Sequence, residues 1–259
     1  MPTALGLHHR ALAAVAALQR RKEGWGVGRF AIEGHTLLEE ALAGGLDILE
    51  VYATPSALRE HPGVLRLEAR GTPVFTVPEP AMRRISDLQT PPGLLAVVNH
   101  PPVPLGDLMA ERGPILAIAL SDPGNAGTLV RSARAFGAIG IVFGRGGVDP
   151  YHPKVVRGAM GALFQTKVAL ASGGPELLTA AHGRGRKVIA VDLDGEPLDR
   201  FQFPPNPVVV VGHERHGVRS WLPVRDAAVR IPQQGVESLN AAVAGSIVLY
   251  QLMLSRGGS

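Results

Sequence analysis

Cysteine is absent from the 259 residues, which excludes disulfides, thiolate metal sites and cysteine nucleophiles. Aromatic residues make up 5% of the chain, too few for an interleaved base-stacking platform, so Trp25, Tyr151 and Phe164 are expected in the core. No run approaches the ~20 apolar residues that span a bilayer, and the first residues lack the basic-then-apolar order of a signal peptide. A soluble, cytoplasmic protein without membrane association is expected. Nine histidines are present, yet no His/Asp/Glu grouping has zinc-ligand spacing and no nucleophile elbow or catalytic triad is visible; no metal is expected. The G-x-G-x-x-G fingerprint is missing too, which disfavours a dinucleotide-dependent α/β enzyme.

What is present is unevenly charged. The formal net charge is +4. Residues 1 to 100 hold ten basic and ten acidic side chains, residues 101 to 259 sixteen and twelve. Between Arg131 and Lys167 lie Arg134, Arg145, Lys154 and Arg157 with a single acid, Asp149. Such clustering suits a phosphate-rich partner; a solvated basic face is the plainer explanation of the charge alone.

Apolar periodicity predicts an amphipathic helix from about Ala4 to Lys22 and then a small α/β domain, with strands at 29–33, 48–53, 73–77 and 94–99 and helices at 36–43, 57–60 and 80–86. The run Pro101-Pro102-Val103-Pro104 marks a boundary, because three prolines in four positions oppose helix and favour a stiff extended linker. The expected division is a first domain at 1–100, a linker at 101–113 and a second domain at 114–259. Apolar strands alternating with helices in the second domain argue for a parallel sheet covered on both faces.

Three motifs lie at predicted strand ends in this second part. They are Asp122-Pro123-Gly124-Asn125-Ala126-Gly127 running to Arg131, then Gly212-His213-Glu214-Arg215-His216-Gly217, and Ile231-Pro232-Gln233-Gln234-Gly235 running to Ser238-Leu239-Asn240. Ligands in open α/β sheets sit outside the carboxyl ends of the strands, so the motifs are expected to converge. Each also has a structural explanation. Asp122, Pro123 and Asn125 suit a helix cap and first turn, and Ile231 and Leu239 on hydrophobicity alone belong in a core.

In fixed order these motifs resemble the SpoU (TrmH-like) branch of the SPOUT RNA methyltransferases, over roughly residues 114 to 254. The stretch Phe30 to His35 with Leu37 to Leu42 is similar to the substrate-binding domain that precedes many SpoU catalytic domains. The resemblance implies an α/β chain with a C-terminal SPOUT domain, a parallel sheet and a trefoil knot, preceded by a smaller ribosomal-protein-like RNA-binding domain. It implies S-adenosylmethionine as cofactor, an RNA ribose 2′-hydroxyl as acceptor and a homodimer. Ribosomal RNA is the expected target; transfer RNA, or an inert RNA-binding relative, is the alternative.

Carried onto this sequence, the resemblance implies that Gly212 lets adenosine approach the backbone and Gly217 makes a turn, while Ile231 and Leu239 grip the adenine ring. It makes Asn125 a positioner of Arg131 and the ribose, Glu214 a holder of loop or substrate, and Ser238 and Asn240 contacts to the acceptor. Arg131 is the expected stabiliser of alkoxide charge and clamp on phosphate. A guanidinium stays protonated and cannot serve simply as base, so the proton acceptor is left open, a substrate phosphate being one candidate. After Asn240 this chain has Ala241-Ala242-Val243-Ala244 where the family often has Val-Ser-Val-Ala, so no hydroxyl role carries over there.

Overall fold

The computed structural model describes residues 2–20, 25–212, 217–236 and 238–257. In chain order come β1 (Thr3–Ala4), α1 (Arg10–Gln19), β2 (Arg29–Glu33), α2 (His35–Ala43), β3 (Asp47–Ala53) and α3 (Pro55–Glu60). A 3-10 turn (Pro62–Val64) leads to α4 (Leu65–Ala69), β4 (Val74–Thr76), α5 (Glu79–Ile85) and β5 (Leu94–Asn99). Then follow α6 (Leu105–Ala110), β6 (Ile115–Ile118), α7 (Pro123–Ala135), β7 (Gly140–Gly144), α8 (Pro153–Ala159) and a second 3-10 turn (Ala162–Gln165). The chain finishes with β8 (Lys167–Ala171), α9 (Gly174–His182), β9 (Val188–Pro197), β10 (Val208–Val211), β11 (Ala227–Arg230) and α10 (Ala241–Ser255).

These elements form two compact units, one made of residues up to Pro101 together with Tyr151–Phe164, the other of Pro102–Pro150 and Gln165 onward. The first holds a mixed sheet in the order β1-β4-β3-β5-β2. Its N-terminal helix is shorter than periodicity predicts. Thr3 and Ala4 pair in parallel with Phe75 and Thr76 instead, and the His9 side chain caps α1 by accepting from the Ala11 N–H. The segment 151–164 completes this unit's core. Tyr151 stacks on Phe30 at 4.8 Å between ring centroids, Phe164 lies 6.2 Å from the same ring, and the Tyr151 hydroxyl donates to the His100 carbonyl. Both rings are 2% exposed or less, as expected of core residues.

The second unit is a six-stranded sheet in the order β11-β9-β10-β6-β7-β8, parallel at every pairing. Strand β10 shows why both faces must be covered: Val208 and Val210 enter one core with Leu108, Ile115 and Leu177, and Val209 enters another with Val248 and Leu252 of α10. Near-continuous apolar strands are what a doubly covered parallel sheet requires. Residues 105–110, expected within an extended linker, form α6 instead. Leu108 and Met109 are buried in the sheet's core, and the Val103 N–H already bonds to the Val168 carbonyl. The prolines therefore stop at the start of a helix, a position they tolerate well.

Strand β9 runs on to Pro197, past Val191 where its pairing with β10 ends. Gly195 permits this, because a Cβ there would collide with the backbone of Ala228 and Val229 in β11, where the register shifts. The carboxyl ends of β9, β10 and β11, with the start of α10, frame the region that the motifs were expected to share.

Candidate active site

A cavity of about 290 Å³ opens at these strand ends. Val191, Asp192 and Leu193 line it from β9, Val211 and Gly212 from β10, Ile231 and Gln233 from beyond β11, and Ser238, Leu239 and Ala241 from the approach to α10. Gly217 and Arg219 close it from the loop after β10. All the residues expected to hold cofactor, Gly212, Gly217, Ile231 and Leu239, line this one cavity, and Ser238 joins them.

The two glycines serve it differently. A Cβ on Gly212 would lie 2.6 Å from the Gly217 carbonyl oxygen and from Val218 Cα, so the loop folds back on its own backbone there. Close approach by a ligand is thus not what first demands glycine at 212. Gly217 has open space around it but φ of +60°, the left-handed region that side chains disfavour. Ile231 and Leu239 are half-buried, and Ile231 packs against the core under α10.

The first motif meets the third through a hydrogen bond. Asn240 Nδ2 donates to Asn125 Oδ1 at 2.9 Å. Each end is fixed by capping: Asp122 Oδ1 accepts from the Asn125 N–H at 2.7 Å, and Asn240 Oδ1 accepts from the N–H groups of Ala242 and Val243. The capping explanation and the convergence of motifs are therefore both correct, since the amide of Asn240 does each with a different atom. Behind this pair Ser132 and Ser246 hydrogen-bond at 2.7 Å. A Cβ on Gly245 would strike Leu129 and Val211, so α10, α7 and β10 meet at small residues.

Two comparisons identify the chain. Residues 114–250 match the SpoU rRNA Methylase family and residues 11–96 the MRM3-like substrate binding domain. The chain belongs to the SpoU rRNA Methylase family. It is 30% identical over 238 residues to the 23S rRNA (guanosine(2553)-2'-O)-methyltransferase RlmP of Bacillus subtilis, covering 91% of this chain and 92% of that protein. It is 27% identical over 253 residues to a 23S rRNA (uridine(2479)-2'-O)-methyltransferase of Streptomyces viridochromogenes, covering 93% and 88%. Among solved structures, the AdoMet-bound rRNA methyltransferase of Sinorhizobium meliloti superposes with a TM-score of 0.82 at 27% identity, covering 96% of this chain and 97% of that one.

Within the SpoU domain not every expected residue reaches the cavity. Arg131 lies in the third turn of α7, exposed, paired with none of the described side chains and outside the cavity lining. At 1.5 Å per residue it sits roughly 9 Å along the helix from Asn125, less than two turns beyond it. Glu214, with His213 and His216, lies outside the described residues. The basic stretch is also divided. Lys154 and Arg157 belong to the first unit and the other four to the second. Arg157 is paired with Asp87 at 2.9 Å, Lys167 with Glu111, and Arg134 donates to Gln165. Exposed pairs of this kind are weak, so they leave the cations exchangeable toward phosphate.

Four polar cavity residues escaped the sequence reading: Asp192, Arg219, Arg230 and Gln233. Asp192 and Asp194 face Arg219 and Arg225 in a four-charge network, with Arg225 2.6 Å from Asp194 and 3.5 Å from Asp192; Arg219 also pairs with both acids. Desolvation pushes the Asp194 carboxyl up, and Arg225 and Arg219 outweigh it and hold it below the usual range. The network ties the loop after β10 to the end of β9. Its only sequence signal was alternation of acids after a strand, which is common on surfaces.

Proposed function

We propose that the chain is an S-adenosylmethionine-dependent 2′-O-ribose methyltransferase acting on ribosomal RNA. The observation carrying this is a cavity built jointly by the second and third motifs, with Asn125 of the first bonded to Asn240 at its edge. The lining fits the cofactor: Ile231 and Leu239 offer apolar walls, and Gln233 Oε1 is a buried acceptor without a partner among the described residues. The ribosomal target is supported by the activities named for the Bacillus and Streptomyces relatives.

S-adenosylmethionine supplies an electrophilic methyl on a sulfonium. The protein's part is orientation, which can lower the barrier greatly by itself, and stabilisation of charge on the attacking oxygen. Ile231 and Leu239 hold the adenine; Asn125, Asn240 and Ser238 place the acceptor ribose; Arg131 stabilises the alkoxide and clamps phosphate; Glu214 holds the loop or the substrate. Residues 1–100 select the RNA, a role supported by the match of 11–96 to a substrate binding domain.

The working form is a homodimer. Val243, Ile247, Tyr250 and Leu254 are each 37–47% exposed along one stripe of α10, and Phe136, the residue just after α7, packs edge-on against Tyr250. Apolar spacing of this kind on an outer helix face fits a second copy. Ile247→Glu should convert a dimer to monomers in light scattering; an unchanged mass would place the interface elsewhere. A cytoplasmic location goes with the ribosomal substrate, and among the described residues no helix is long and apolar enough to cross a membrane.

The purified protein with a tritiated methyl donor should label 23S rRNA, the label appearing as a 2′-O-methylated nucleoside after digestion. Label confined to tRNA would overturn the ribosomal target, and label on a base would overturn the ribose acceptor. Ribose methylation mapped in cells with and without the gene then locates the nucleotide.

A further inference from the structure

We infer that Gln233 reads the adenine edge of the cofactor and makes this pocket selective for a 6-amino purine, an inference that rests on the cavity being the S-adenosylmethionine pocket. Two independent observations converge on this side chain. Gln233 lines the cavity together with Ile231 and Leu239, and its Oε1 is buried with no hydrogen-bond partner among the described residues. A buried amide oxygen left unpaired is costly, and native proteins rarely keep one without a reason. A leucine in its place would fill the same wall without that cost.

The charged acceptor in the lining is already committed. Asp192 faces the guanidinium groups of Arg219 and Arg225 at 3.7 and 3.5 Å. Gln233 Oε1 is a neutral acceptor without a partner among the described residues, and Gln233 lines the cavity with Ile231 and Leu239. A carboxamide and adenine are complementary on two atoms: Oε1 accepts from the 6-amino group and Nε2 donates to N7, the bidentate pairing by which glutamine reads adenine in nucleic acids. A 6-oxo purine presents two acceptors on that edge. One carboxamide can satisfy only one of them.

The test uses full-length protein, calorimetry and two non-reacting ligands, S-adenosylhomocysteine and S-inosylhomocysteine. Wild type should prefer the adenosyl ligand by about 5- to 150-fold, the range of one bidentate pair. Gln233→Leu should bind the adenosyl ligand about tenfold more weakly and discriminate by about twofold or less. Its unliganded melting temperature should equal or exceed that of wild type, because a buried unpaired acceptor has been removed. Gln233→Glu, which keeps an acceptor for the 6-amino group, should retain part of the selectivity, and Gln233→Met should behave as the leucine variant does. Wild type that binds with no preference, or a Gln233→Leu protein that keeps both affinity and preference, overturns the assignment of Gln233 alone. Wild type that binds neither ligand overturns the reading of the cavity, and this inference with it.

Discussion

Gly212 and Gly217 lie in one loop and are needed for different reasons, which predicts different losses. At Gly212 an added methyl must displace the backbone of Gly217 and Val218, neither of which can rotate away as a side-chain tip would. Gly212→Ala should therefore lower the melting temperature and weaken S-adenosylhomocysteine binding together. Gly217→Ala meets no atom, and its loss should be the conformational cost alone, about 1–2 kcal/mol, seen as a small shift in the melting curve. Equal and negligible effects at both positions would mean that the loop adapts. At Arg131 the expectation is separation of binding from chemistry: Arg131→Ala should cost about 10²-fold or more in turnover, the scale of losing one oxyanion donor. Cofactor affinity should be retained, since the side chain lies outside the cavity lining. Turnover near normal at saturating RNA would make it an ordinary surface arginine.

The elements of the second unit are held at both ends of the sheet. At the ends opposite the cavity Arg186, 3% exposed, donates to the carbonyls of Met109, Gly113 and Asn206 at 2.8 Å and to that of Glu111. Arg186→Met should cost about 3–5 kcal/mol, the range for breaking a buried charged network, by stranding those carbonyls; chemical denaturation measures it. Asp226 performs a similar service for β9. Burial pushes its carboxyl up, but the Val188 N–H, His182 and Lys187 outweigh that and lower it. A carboxylate lowered in the fold contributes stability above its unfolded value near pH 4, and that contribution disappears as pH falls through the lower folded value. The melting temperature should therefore drop as pH falls from about 5 to about 3, and less steeply in Asp226→Asn.

Such ties also show what could be read from sequence. The strands were legible because a doubly covered sheet writes unbroken apolar runs such as Val208–Val211. The cavity was legible because glycines, caps and an Ile-Pro turn are required at fixed spacing. Arg186 was not, because its partner Met109 lies 77 residues away and carbonyls leave no mark on a side-chain pattern. Nor was α6, whose Leu and Met look like any short apolar stretch until β8 and α9 bury them. Gln233 sat inside a recognised motif and looked like a loop residue; only its buried, unpartnered Oε1 distinguishes it.

At the scale of the whole chain, the boundary between units is crossed at Pro101, again at Pro150 and again at Phe164. A protein beginning at Val103 would keep the SpoU sheet but strand Tyr151 and Phe164, whose ring partner Phe30 it lacks. It should bind S-adenosylhomocysteine yet expose apolar surface, detectable as dye binding absent from the full chain. A clean, dye-silent fragment would show that residues 151–164 can find other cover.

The same crossing sets a timetable for synthesis. The unit that emerges first is missing α8 and two of its aromatic rings until Phe164 has been made, by which time β6, α7 and β7 of the later unit already exist. At about 5–20 residues per second the early unit waits several seconds with Phe30 uncovered. Nascent chains arrested before Tyr151 should be readily cut by protease within residues 1–101, and protection should arrive abruptly once the chain extends beyond Phe164. Gradual protection from residue 101 onward would mean that the first unit closes without its late segment. On this schedule the first unit closes while β8 to β11 and α10 are still to be made, so the later sheet is the last part of the chain to mature.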